Sequence, residues 1–207
     1  MGSRMSTKWY DYGQRETDYL KQADAALGRA IERLGKLERE VIPDLFTALM
    51  NAIVGQLISV KAANTVWNRM LDKFGTITPD QLAGHSADDI QSCGMSMKKA
   101  VCIHTIARAI SAGEWDIDAL RELPDDEVIR QLSGLHGVGR WTAEMLLIHS
   151  MERPDVVSWG DIAIRRGMMR LYNLTELSRQ EFEQYRLRYA PYGTVASIYL
   201  WELSSET

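Results

Sequence analysis

Two features between Leu132 and Asp161 could do chemistry: a glycine turn, Gly137-Val138-Gly139, and one aspartate, Asp161, directly after Trp159-Gly160. Glycines flanking an apolar residue permit a tight turn whose backbone N–H groups point outward at the start of a helix. Unpaired amides at a helix N-terminus form an anion site that a phosphate fits. The surrounding frame, Leu132-x-x-Leu135-x-Gly137-Val138-Gly139-x-x-x-Ala143, supplies apolar residues to pack two helices together. Such a site holds a nucleic-acid backbone without reading its bases. A dinucleotide site is excluded, because no strand precedes the glycines and the third glycine is missing. The plainer alternative is an ordinary glycine turn between core helices. Asp161, at a helix start, is equally readable as an N-cap.

The elements that must position these residues are helical. Leu20, Ala23, Leu27, Ile31 and Leu34 fall on one stripe of a helix that Gly35 ends, and Phe46, Leu49, Met50 and Ile53 mark a second, buried helix. Gly55-Gln56-Leu57-Ile58 interrupts it, and Ser59 can cap a third helix that runs to Gly75. Thr78-Pro79-Asp80 reads as a cap followed by proline, and Ser86 to Asp89 resembles a capping box with Asp in the acidic place. Ser96 can cap the helix that closes at Gly113, and another helix ends near Leu132. Beyond the hairpin come a helix from Trp141 to Ser150, an extended link, and a helix from Asp161 to Tyr172. Ser178 to Glu181 forms a full capping box, and Pro191-Tyr192 opens the last helix, which ends near Trp201. The expectation is an all-α protein of about ten helices, with no alternating stretch long enough for a sheet.

Composition narrows the function classes. With 207 residues, 45% apolar and 25% charged, the chain has the make-up of an ordinary globular protein. No apolar run reaches the roughly 20 residues of a membrane span, and the start, MGSRMSTKWY, lacks the apolar core of a signal peptide. The two cysteines, Cys93 and Cys102, exclude a disulfide framework and a four-cysteine metal or iron–sulfur site. His85, His104 and His149 have no zinc-ligand spacing. A net charge of −4 counts against nucleic-acid binding by cationic side chains, though not by backbone amides. Lys98, Lys99, Arg140, Arg165 and Arg166 are candidate phosphate contacts; taken singly, each also reads as a solvated surface charge.

LSGLHGVGRWTA, followed some twenty residues on by an aspartate, resembles the helix-hairpin-helix (HhH-GPD) superfamily of DNA glycosylases. The GRWTA form, with GQLISVKAA at Gly55 to Ala63, is similar to the alkylpurine branch, the 3-methyladenine type II enzymes. The likeness runs from Asp44 to Trp201, in the compact form without an amino-terminal β domain. It implies two helical lobes with a cleft between them: a central bundle over 44–153, and a second lobe of 1–43 with 154–207.

The resemblance places the catalytic carboxylate on Asp161, which would stabilise positive charge on the deoxyribose and orient a water. Leu57 matches the family's intercalating wedge, with Gln56 beside it; the alternative is a core leucine at a helix end. Trp141 and Tyr192 match base-pocket positions, Met145 and Ile162 stand where relatives can have tyrosine, and Trp159 could add a ring. Cationic purines are drawn to such rings. Trp141 also occupies the place of the lysine that strand-cleaving relatives use for a Schiff base, implying no AP lyase activity. Gly137, Gly139, Arg140, His136 and Thr142 are the implied phosphate contacts, with His136 where the family usually has proline. Side chains imply no metal and no cofactor; hairpin carbonyls are the family's seat for Na⁺ or K⁺. The implied activity is hydrolysis of the N-glycosidic bond of alkylated purines such as 3-methyladenine and 7-methylguanine in double-stranded DNA. The implied protein is a monomer, not membrane-bound, cytoplasmic or, in a eukaryote, nuclear. The alternatives are a glycosylase for hypoxanthine, uracil or oxidised guanine, and a non-catalytic DNA-binding module.

Overall fold

A computed structural model describes residues 7–206; the opening residues, read above as carrying no targeting segment, lie outside that range up to Ser6. The chain is all-α, with a single two-stranded sheet among the described residues, β1 (Lys8–Trp9) with β2 (Glu40–Val41). The first apolar stripe is divided between two helices, α1 (Gln14–Ala23) and α2 (Ala25–Leu34), which corrects the single helix expected there. Asp24 makes the break. Its backbone is extended, and Oδ1 accepts the Leu27 N–H at 2.9 Å, capping α2. Oδ2 accepts from the Tyr172 hydroxyl at 2.8 Å and the Arg188 guanidinium at 3.2 Å. A buried carboxylate with those partners outweighs the small gain of continuing one helix.

One compact unit is built on Ile42–Met151. Asp44 caps α3 (Leu45–Gly55), Ser59 caps α4 (Val60–Phe74), and Thr78 caps α5 (Pro79–Ala83). Ser86 and Asp89 complete the capping box of α6 (Ala87–Gln91), and Ser96 caps α7 (Met97–Ser111). A 3-10 turn (Asp118–Glu122) leads to α8 (Asp125–Ser133), the hairpin, and α9 (Arg140–His149). Its core includes Leu49, Met50, Ile53, Met70, Leu82 and Ile90, all fully buried. Each such side chain contributes about 1.5–3 kcal/mol through burial.

The second unit combines Trp9–Val41 with Glu152–Thr207. It contains α1, α2, α10 (Ile162–Leu171), α11 (Arg179–Tyr189) and α12 (Gly193–Ser205). Leu20, Leu27, Ile164, Met168, Phe182, Tyr189 and Tyr199 lie in its core. The tightest approach is between α10 and α12: a Cβ on Gly167 would sit 1.9 Å from the Leu200 carbonyl oxygen. That glycine fixes the register of the helix that Asp161 opens.

Candidate active site and nucleic-acid interface

The hairpin has a buried frame and an open tip. Leu132 and Ala143 are fully buried, Val138 is nearly so, and Leu135 is half-buried. The Val138 N–H closes the turn on the Leu135 carbonyl at 3.1 Å. Gly137 is required twice over: its φ is +87°, and a Cβ there would lie 2.9 Å from the Cys102 Sγ. Gly139 differs. It caps α9 with extended φ −99°, and a Cβ there would meet nothing within 4 Å. The approach to the start of α9 is therefore open. His136 and Arg140 are exposed beside it, and Arg140 Nε donates to Glu144 Oε1 at 2.8 Å. Glu144 itself is buried on α9.

Leu57 is not a core leucine. It is fully exposed, at 103%, with a left-handed φ of +58°. A leucine held there costs roughly 1–2 kcal/mol and strands an apolar side chain in water. Ile58 and Val60 continue the exposed apolar surface. A cavity of about 360 Å³ borders this loop, lined by Gln56, Leu57, Ile58, Met95, Lys98 and Gly137 among others.

Three residues expected to face DNA point inward instead. Gln56 Nε2 donates to the Gly137 carbonyl at 3.1 Å and to Thr142 Oγ1 at 3.0 Å. Thr142, only 2% exposed, thus offers its hydroxyl to Gln56 and not to an outside anion. Lys99 Nζ donates to the carbonyls of Val54 at 2.8 Å and Gln56 at 2.6 Å, closing the end of α3. Burial lowers the Lys99 ammonium from its ordinary pKa. Lys98 remains exposed at the start of α7. In the hairpin, the Gly137 carbonyl accepts from Gln56 and the Leu135 carbonyl from Val138. Each bond uses one of an oxygen's two acceptor positions and leaves the other open.

In the second unit Asp161 is 8% exposed, and Oδ1 accepts the Ile164 N–H at 2.9 Å, so it does cap α10. Arg39, unforeseen in the sequence, lies within electrostatic range of it. Burial lowers the Arg39 guanidinium from its ordinary value, while the carboxylates of Asp161 and then Glu202 raise it. The same guanidinium sits 4.3 Å from the Trp201 ring. Ile162, the next residue after Asp161, is 62% exposed.

The aromatic assignments divide. Trp159 packs edge-on against Phe182 at 5.2 Å, with the Arg165 and Arg179 guanidiniums at 4.8 and 5.3 Å from its ring. These neighbours all belong to its own unit, and the ring stays half-buried. Arg165 is half-buried, with its guanidinium over the Trp159 ring and its Nε buried without a hydrogen-bond partner. Tyr192 is half-buried and meets Tyr19 edge-on at 5.2 Å. The Tyr19 hydroxyl donates to the Ala190 carbonyl at 2.6 Å. Nothing near Tyr19 in the sequence signals that ring pair. On α9, Trp141 is half-buried and Met145 buried, while Arg166 is exposed on α10.

Among the described residues, no group of three or more His, Cys, Asp or Glu could hold a metal, and no helix is long and apolar enough to cross a membrane.

The model of the HhH-GPD superfamily, base excision DNA repair proteins, matches residues 50–191. The chain belongs to that family. It is 32% identical over 167 residues to DNA-3-methyladenine glycosylase 1 of Schizosaccharomyces pombe, covering 77% of this chain and 72% of that protein. A solved Schizosaccharomyces pombe 3-methyladenine DNA glycosylase in complex with abasic DNA superposes with a TM-score of 0.84 at 28% identity, covering 91% of this chain and 96% of that one. A DNA-3-methyladenine glycosidase from Bacillus halodurans gives 0.78 at 31% identity, covering 97% and 93%.

Proposed function

We propose that the protein is a monofunctional DNA glycosylase that hydrolyses the N-glycosidic bond of alkylated purines, 3-methyladenine first, in double-stranded DNA. The observation that carries this reading is Leu57, an apolar side chain 103% exposed and held at a left-handed φ beside the hairpin. Exposure on that scale is wasteful in water and suits the gap left in a duplex when a base is flipped out. The names of the relatives support the alkylpurine class.

The open start of α9 at Gly139, with Arg140 and His136 beside it, receives a phosphate. A Na⁺ or K⁺ ion on the hairpin carbonyls, such as that of Leu135, would add positive charge at that grip. Leu57 fills the vacated stack. Trp141, Met145, Ile162 and Tyr192, with Tyr19 behind it, are the residues assigned to the flipped base. An alkylated purine carries positive charge and leaves without a general acid. As the base–sugar bond breaks, the Asp161 carboxylate stabilises the cationic sugar and orients a water. The water oxygen bonds to the sugar carbon, its proton is released, and the base departs with the bonding electrons. Trp141 offers no amine for a Schiff base, so the product is an abasic site in an uncut strand. The protein works as a monomer.

The test is base release from methylated DNA by wild type and Asp161→Asn, with affinity for abasic duplex measured in parallel. Asparagine also caps helices, so α10 keeps its start. Release by wild type should fall on the order of a hundredfold or more in the variant while binding survives. Equal release by both sinks the role of Asp161. No release by either on any lesion leaves a DNA-binding module. Release confined to hypoxanthine, uracil or oxidised guanine moves the lesion class. A covalent adduct trapped with borohydride would refute the absence of lyase chemistry.

A further inference from the structure

Gln56 is pinned at every polar group it has an interaction for, and the base-release chemistry uses none of these bonds. Both hydrogens of its side-chain amide are donated, one to the Gly137 carbonyl at 3.1 Å and one to Thr142 Oγ1 at 3.0 Å. Its backbone N–H donates to the Ile53 carbonyl at 3.3 Å, and its backbone carbonyl accepts from Lys99 Nζ at 2.6 Å. That carbonyl shares one rigid peptide plane with the nitrogen of Leu57. Lys99 therefore fixes the plane from which Leu57 departs, and the amide of Gln56 ties that plane to the hairpin. Leu57 leaves it at φ +58°, fully exposed.

We infer that Gln56 is a positioning residue that joins Leu57 rigidly to the phosphate-gripping hairpin, so that capture of the DNA backbone and insertion of the leucine are one event. This rests on the reading of Leu57 as the intercalating residue. It gives Gln56, placed beside the wedge by the resemblance, a bracing role, since its side-chain donors are already committed to protein acceptors. Thr142 and Lys99 are the other members of the brace.

The experiment compares Gln56→Ala, Leu57→Ala and the double variant for melting temperature and for affinity to undamaged and abasic-analogue duplexes. A 2-aminopurine opposite the abasic analogue reports insertion by its fluorescence. Leu57→Ala should weaken abasic binding about tenfold or more, the loss of one buried leucine side chain. Gln56→Ala should weaken it similarly and abolish the fluorescence change, with binding to undamaged duplex retained. The double variant should be no worse than Leu57→Ala, because the two residues act through one step. Thr142→Val should copy part of the loss and Thr142→Ser restore it. Losses that multiply in the double variant overturn the inference, as does a Gln56→Ala protein that inserts normally. If Leu57→Ala alone changes neither readout, the wedge reading falls and this inference with it. Asp161-dependent base release, measured separately, would still stand.

Discussion

Gly137 and Gly139 flank one valine, yet alanine at the two positions should break different properties. At Gly137 an alanine must hold φ +87°, which costs roughly 1–2 kcal/mol for a residue with a Cβ. Its methyl also lands 2.9 Å from Cys102 Sγ and 3.2 Å from Cys102 Cβ, so the hairpin must shift away from α7. Overpacking of that kind adds about 1–3 kcal/mol, for a total near 3 kcal/mol. In a chain of this size each kcal/mol moves the melting temperature by about 2–4 °C, so Gly137→Ala should melt about 6–12 °C lower. At Gly139 the backbone is already extended and the methyl meets nothing. There the weaker cap of alanine and its smaller unfolded-state entropy offset each other to within about 1 kcal/mol. Gly139→Ala should therefore melt within a few degrees of wild type. If a phosphate packs on the amides at the start of α9, however, that methyl stands in its way. Affinity for an abasic-analogue duplex, read by fluorescence anisotropy, should fall about tenfold, equivalent to roughly 1.4 kcal/mol. A Gly139→Ala protein that binds as wild type refutes the amide grip. One that melts as low as Gly137→Ala refutes the geometry of the turn.

Two further outcomes follow from packing and charge. Gly167→Ala drives a methyl to 1.9 Å from the Leu200 carbonyl oxygen, and backbone cannot step aside as a side chain can. It should cost about 3 kcal/mol or more, seen as a lower melting temperature and as lost base release, since α10 carries Asp161. A melting curve like that of wild type would mean that α10 and α12 are not in register as described. Asp89 is held down to about 2, first by the Ser86 hydroxyl, then by the Ser86 N–H and Lys73. Because the folded value lies below the unfolded one, its contribution is present above about pH 4 and is lost as the pH falls toward 2. Asp89→Ala should melt below wild type at pH 7, with the gap narrowing under pH 4 and closing near pH 2. A gap constant across that range would contradict the assignment.

What the sequence made legible was local. Thr78, Ser86, Ser96 and Ser178 each accept a helix N–H through a side-chain oxygen, a bond that spans three residues and needs no tertiary knowledge. The glycine turn was readable for the same reason. Asp24 was not, because its preference for a cap over a continuous helix is backed by Tyr172 and Arg188, more than 140 residues away. Leu57 was ambiguous between core and surface, and only the full packing exposes it. The neighbours of Trp159 were not legible either: two residues from Asp161 in the chain, its ring meets Phe182 and two guanidiniums. Arg39 beside Asp161 and Tyr19 against Tyr192 are encounters between distant parts of the chain, which no periodicity encodes. The resemblance offers Thr142 as a phosphate contact, but its hydroxyl accepts from Gln56, a partner that no local pattern signals.

The two sides of α10 have unequal freedom to change. Gly167 accepts no side chain at all, whereas Ile162, five residues earlier and roughly 140° round the helix, is 62% exposed. Selection acting on this protein, natural or in the laboratory, finds one face closed to variation and the other open. Diversity introduced at Ile162 samples new surface next to Asp161 without disturbing the joint that sets the aspartate's position. A library built there should return folded members at a high rate, and one built at Gly167 almost none.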